Sequence, residues 1–189
     1  MKVSPSNKDP NIIVAYFLSA VKENAAVPTK IRSDDGTENS LIEPIQITLR
    51  AEHDDEFAGL ASYAIGTSPS NQRIESLWSQ FTKDRPMWWR QFFSELSSFG
   101  FVNSSSYVVK ECLRFCFMHI LRKELDEFKE RWNRHLIAKS KGASLPTGRP
   151  NSLYHLPQLY GTKSYTMSVD LADEEFDNPN FAQNRPDNC

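Results

Sequence analysis

Two carboxylates stand where a fixed backbone can present them. Asp34 closes the short apolar and basic run of "KIRSDDGTEN", and Glu75 follows 41 positions later in "SNQRIESLW", in the first turn of an expected helix. Strand ends and helix starts gather at one edge of an α/β sheet, so acids placed this way can face a shared cleft. Such a pair suits a hard cation like magnesium, held by a few carboxylates together with substrate phosphates, and the chemistry implied is phosphoryl transfer on nucleic acid. The same residues also fit ordinary structure. Asp-Asp-Gly is turn chemistry, and a glutamate in a first helical turn offsets the dipole or completes a capping box with Ser70 or Asn71. Spacing alone does not separate the two readings.

Lys30, Arg32 and Arg73 lie near these acids in sequence and are candidate phosphate contacts. A second basic stretch, residues 122–149, carries eight Lys or Arg against four acids and includes Trp132 and His135. It can track a phosphate backbone, or it can be a solvated helix with pairs such as Glu127 with Arg131 and Glu130 with Arg134. The histidines offer no hydrolase. His53 and His155 fall in loops and His119 beside an apolar stripe, where a hydrogen-bonded core histidine is expected, so no nucleophile and base can be paired.

The elements that must position these groups follow from periodicity. "MKVS" reads as a strand stub. Asp9 and Pro10 open a helix whose apolar residues Ile12, Ile13, Tyr16, Phe17, Ala20 and Val21 recur at helical spacing until "AAVP". "TKIRS" reads as a strand ending at the "DDG" turn. Residues 40–50 fit helix or strand, and Pro44 favours a short helix starting late. "HDDEF" reads as a solvated acidic loop and "ASYAIGTS" as a strand closing in a glycine turn. Three helices follow. The first, launched around Pro69, turns Ile74, Leu77, Trp78 and Phe81 inward; the second turns Trp88, Trp89, Phe92, Phe93 and Leu96 inward and stops at Gly100. The third spans about residues 105–139 with a stripe from Val109 to Trp132. After it, "GASLPTGRPNS" has linker composition, and residues 166–189 read as a disordered acidic tail.

Composition bounds the rest. With 189 residues the chain can form one ordinary core, and a net charge of -2 gives no global attraction to nucleic acid or membrane. Cys112, Cys116 and Cys189 show no metal spacing and follow no secretory signal, which makes a reducing intracellular compartment the default. Cys112 and Cys116 are expected to be buried as small hydrophobes. The most apolar run is too short to span a bilayer.

Three stretches in this order, "KIRSDDGTEN", "IGTSPSNQRIESLW" and "ELDEFKERWNRHLI", resemble the integrase core domain of the DDE recombinases, the group of retroviral integrases and many transposases. The likeness is to the subset in animal genomes, with its "GTEN" turn, "NQRIE" helix start and late Trp-Asn element, and it runs over about residues 3–135. The resemblance implies a ribonuclease H-like fold in which three acids hold two magnesium ions. It matches Asp34 to the second acid and Glu75 to the third. It sets Asn71 and Gln72 near the DNA path and Arg73 on a phosphate, so that with Lys30 and Arg32 they form the expected DNA-binding set.

The family's first acid belongs to a strand upstream of the one that begins here as "MKVS", and nothing in this chain matches it. Asp35 points elsewhere if the strand geometry continues, and Asp9 caps the first helix. The expectation is therefore an α/β, ribonuclease H-like integrase core that is incomplete, its opening strands missing, followed by a mainly helical C-terminal part. Residues 1–140 would be the truncated core and 141–189 the linker and acidic tail. The implied function is that of a transposon-derived DNA-integration protein, nuclear, bound to DNA and not to membrane, ancestrally magnesium-dependent and inactive alone. A homo-oligomer is left open. The alternative is a non-enzymatic DNA- or protein-interaction module that retains part of the fold.

Overall fold

The computed structural model describes residues 2, 4, 6, 8–66, 72–83, 85–103, 105–138 and 147–169. The chain divides into two compact units: Ser6–Gln72 with Tyr165–Cys189, and Met1–Pro5 with Arg73–Ser164. The first carries all the strands named below and the second is built from helices.

In the strand-bearing unit, α1 (Pro10–Asn24) begins as expected, with the Asp9 carboxylate accepting the Asn11 amide and Pro10 in the first turn. It ends where Ala25 turns into the left-handed region at φ 47°, its N–H capping Lys22 and Val21. That turn feeds β1 (Ala26–Pro28) directly, so the last three residues of the "AAVP" that stops the helix are themselves a strand. Then come β2 (Ile31–Ser33), a single 3-10 turn over Thr37–Asn39, α2 (Ile42–Leu49), a second 3-10 turn over Gly59–Ser62 and β3 (Tyr63–Ile65). The ambiguous 40–50 segment is thus helical. A parallel pair needs a crossover, and α2 with its flanking turns supplies the one between β2 and β3, which pair Ile31 with Tyr63 and Ser33 with Ile65.

The partner of β1 comes from the far end of the chain. Strand β4 (Thr166–Ser168) runs antiparallel to it, Val27 opposite Met167, and Thr29 N–H to Tyr165 O at 2.9 Å extends the ladder. The sequence reading assigned residues 166–189 to a disordered tail; residues 166–168 are instead a strand, because β1 supplies the hydrogen-bond partners that its own neighbours lack. Residues 170–189 lie outside the described set. Val14, Val21, Val27, Ile45 and Leu49 form the core here, with Phe17, Leu18, Leu41, Ile42, Met167 and Val169 packed against it.

The helical unit holds α3 (Gln72–Lys83), α4 (Arg85–Ser98), α5 (Tyr107–Arg134) and α6 (Pro150–His155), followed by a 3-10 turn over Pro157–Tyr160. Gly100, at φ 75°, ends α4 as read, and Phe101 N–H reaches back to Leu96 O at 3.0 Å. Helix α5 starts on its Ser106 cap but stops at Arg134, five residues earlier than periodicity suggests. The chain then bridges Ile137 to Gly148, and a side chain at Gly148 would meet the Tyr160 ring at 2.7 Å, which reserves that place for glycine. Linker-like composition therefore conceals ordered structure from residue 147 onward.

Rings hold this unit together. Trp89, 8% exposed, stacks on Phe93, meets Phe117 edge-on at 5.7 Å and donates Nε1–H to Glu124 at 2.7 Å. Phe81 packs edge-on to the buried Phe128. Several inward assignments fail: Trp88 is 57% exposed, Ile74 and Trp78 about half exposed, and Cys112, Cys116 and His119 all lie on the exposed side of α5. An apolar stripe is covered only where a neighbouring element packs on it, and at these positions none does among the described residues. The expected "MKVS" strand and the Pro69 helix start fall largely outside the described residues. Among the described residues the sheets are two-stranded.

Candidate functional site

Strand β2 explains how Asp34 is presented. Burial alternates from Lys30 to Asp34, so Lys30, Arg32 and Asp34 are exposed while Ile31 and Ser33 are half-buried. Ser33 locks the strand from its inner side, its hydroxyl 2.5 Å from the Tyr63 hydroxyl, and its carbonyl accepts the Gly66 amide at 2.8 Å. The stem of Arg32 lies over Gly66, where a Cβ would stand 3.0 Å from Arg32 Cδ. Lys30 Nζ sits 5.1 Å from the Phe57 ring centroid. One strand edge thus shows two cations and a carboxylate on the same face.

The "GTEN" turn acts on that carboxylate. Its 3-10 turn, closed by Asn39 N–H to Gly36 O at 2.9 Å, brings the Asn39 amide back so that Nδ2–H donates to Asp34 Oδ1 at 2.9 Å. Asn39 fixes the Asp34 rotamer. The sequence reading placed Asn39 in a signature without assigning it a task, and only the five-residue spacing across a turn hints at the bond.

A half-buried ion pair supports the same face. Arg50, fully buried at the end of α2, binds Asp55 Oδ2, while Asp55 Oδ1 accepts the Phe57 amide at 3.0 Å. The Arg50 hydrogen bond, then that amide, hold the Asp55 carboxyl below its usual value, with smaller help from the charges of Arg50 and His53 against the opposing effect of desolvation. The acidic loop read as simply solvated is therefore anchored at Asp55, and the anchor orients Phe57 under Lys30. Next to it, Gln46 Nε2–H donates to Pro28 O at 2.7 Å, tying α2 to β1.

Glu75 lies in the first turn of α3 with an exposed side chain. It belongs to the helical unit and Asp34 to the strand-bearing unit, so each is described within its own unit. Gln72 and Arg73 open α3, with side chains outside the described set, and Asn71 lies outside it altogether. Among the described residues no three His, Cys, Asp or Glu side chains come together as a metal site. Asp34 with one oxygen on Asn39 offers a ligand, not a complete cage.

The comparison with protein families decides the kinship. A family model described as Integrase core domain matches residues 1–160 of the 189. The chain belongs to the integrase core domain family. The three motifs of this DDE-type integrase core all fall inside the matched span, and so do every strand except β4 and every helix. No curated protein and no solved structure matches the chain. The integrase core seen here is a mixed α/β structure, and among its described residues no helix is long and apolar enough to cross a membrane.

Proposed function

We propose that this integrase core protein belongs to the machinery of DNA integration, as a transposon-derived, nuclear chain built on the ribonuclease H-like plan. Its core would run over residues 1–140 and take in α6 and β4, with the remainder of 141–189 as linker and acidic tail. The observation that carries the reading is the family match over residues 1–160, with "DDGTEN" and "NQRIE" inside it. In this reading Asp34 and Glu75 are the second and third metal carboxylates, and Lys30, Arg32, Asn71, Gln72 and Arg73 contact DNA. The shared exposed face of Lys30, Arg32 and Asp34 supports it, since a phosphate that meets two cations arrives beside a carboxylate.

Magnesium is the cation such a site would take, with phosphate oxygens completing the shell. Residues 1–189 carry two of the family's three acids, so little or no strand transfer is expected from this chain by itself, and DNA binding is expected to remain. The test is strand transfer and nicking of labelled DNA with magnesium or manganese, beside a gel-shift titration at low salt. Binding without product supports the proposal. Product that vanishes with Glu75→Gln overturns the inactivity, and absence of any DNA binding overturns the DNA partner.

A further inference from the structure

Helix α5 has one face covered and another bare. Phe117 meets the rings of Trp89, Phe92 and Phe93, and Phe128 packs on Phe81, so the inward stripe is occupied. Along a different face Val108, Cys112, Phe115 and His119 are all exposed, Phe115 at 88%. Their intervals of four, three and four residues are those of the seam between two paired helices. Cys116 stands one turn beyond Cys112 on the same side, and both thiols are exposed and free of any disulfide.

Cysteine is among the residues most often buried, and two thiols held in solvent one turn apart add nothing to the packing of this unit. An interval of four is too long for a C-x-x-C loop, so it carries no metal signal as a bare sequence motif. On a helix the same interval sets the two Cβ atoms about 5–6 Å apart. Sulfurs bound at about 2.3 Å to one tetrahedral zinc stand about 3.8 Å from each other, a gap that the two χ1 rotations can close. One α5 thus offers two sulfurs. Among the described residues no three His, Cys, Asp or Glu side chains come together, so the remaining positions fall to ligands from outside this group.

We propose that Cys112 and Cys116 form half of a zinc site, completed by the same two cysteines of a second copy of this chain. Coordination selects the partner. Structural zinc takes four ligands in a tetrahedron, each α5 supplies two thiolates, and a two-fold axis through the metal doubles them to four. The same axis lays Val108 and Phe115 of one copy along α5 of the other, covering apolar side chains that the helical unit leaves bare. Soft sulfur ligands take zinc and not magnesium, so the cation proposed for Asp34 and Glu75 does not compete here. Each thiol gives its proton to solvent as the metal binds, and affinity therefore falls on acidification.

The test uses the full chain carrying Cys189→Ser, kept in a phosphine reductant and titrated with zinc or, as a spectroscopic probe, with cobalt(II). The expected results are one metal per two chains, a doubling of mass in sedimentation that a chelator reverses, and a sulfur-to-cobalt charge-transfer band. Cys112→Ser and Cys116→Ser should each abolish the band and the doubling while metal-free melting stays unchanged, because both side chains are exposed. His119→Ala should leave band and stoichiometry as they were. One zinc per single chain, cobalt bound without the band, or metal lost with His119→Ala overturns the four-thiolate site, and so does the absence of any metal uptake. A dimer that survives the chelator, or that forms only without reductant, overturns the metal link in favour of packing or an interchain disulfide. None of these outcomes bears on the integration reading, since the oxygen ligands of Asp34 and Glu75 give no such band.

Discussion

The two units bury their side chains by different means. In the strand-bearing unit five small or medium aliphatic residues are buried, and two buried polar side chains each hold one partner, Gln46 on Pro28 and Arg50 on Asp55, with Gln46 Oε1 and Arg50 Nε and Nη1 left unmatched among the described residues. In the helical unit the buried hydrophobics among the described residues are Trp89 and Phe128, and large apolar side chains such as Phe115, 88% exposed, stand in solvent. Short strand pairs with helices against them bury the aliphatic cluster, while the helices of the other unit leave many large apolar side chains exposed. The difference teaches where each function can sit. Asp34 rises from the strand-bearing unit, where Asn39 holds it, whereas Glu75 and exposed rings such as Trp88 and Phe115 belong to the helical one.

Substitutions can break this contrast, and the largest effect is expected in the rings. Trp89→Ala should cost about 3–5 kcal/mol, since it empties the centre of the aromatic cluster and leaves Glu124 without its indole donor. All four tryptophans, at 78, 88, 89 and 132, lie in the helical unit, so tryptophan emission during urea unfolding reads that unit alone. Next, Ile45→Ala should cost about 2–5 kcal/mol and appear as faster amide exchange in β1 and β4, whose core residue Val27 packs in the same cluster. If each substitution shifts both probes equally, the units are one cooperative body and the contrast fails.

Smaller effects sharpen the comparison. Asp55 is more acidic folded than unfolded, so the unfolded chain binds more protons in acid and stability rises with pH. The contribution is complete above the unfolded value of about 3.9 and is lost as pH falls through the lower folded one. Asp55→Asn should lower the urea midpoint at neutral pH and remove that acid-side slope; an unchanged slope would show that Arg50 does not hold the carboxylate. The smallest effect is expected from Asn39→Ala, which removes one exposed hydrogen bond worth about 1 kcal/mol or less. Melting should scarcely move, while affinity for manganese or labelled DNA falls if Asn39 orients Asp34.

Much of the local structure was legible. The Asp9 cap, the Pro10 start, the Gly100 stop and the end of β2 just before Asp34 are all settled within a few residues, as is the helix over 42–49 that Pro44 suggested. Part of the candidate site was legible for the same reason, since the strand end and first helical turn that carry Asp34 and Glu75 are local features. Asn39 was hidden because its bond crosses a turn. Asp55 was hidden because its partner is buried only when α2 packs.

Sequence by itself determined most of the helices and turns, through hydrogen bonds and periodicities that span no more than four or five residues, and its three motifs carried the resemblance to the family. Only the tertiary structure decided that β4 pairs with β1 and that Cys112, Cys116, His119 and Trp88 face outward. It also decided that Arg50 is buried on Asp55. Strand pairing and burial depend on partners far away in the chain, and an apolar stripe states only that a face can be covered, not that a neighbour exists to cover it.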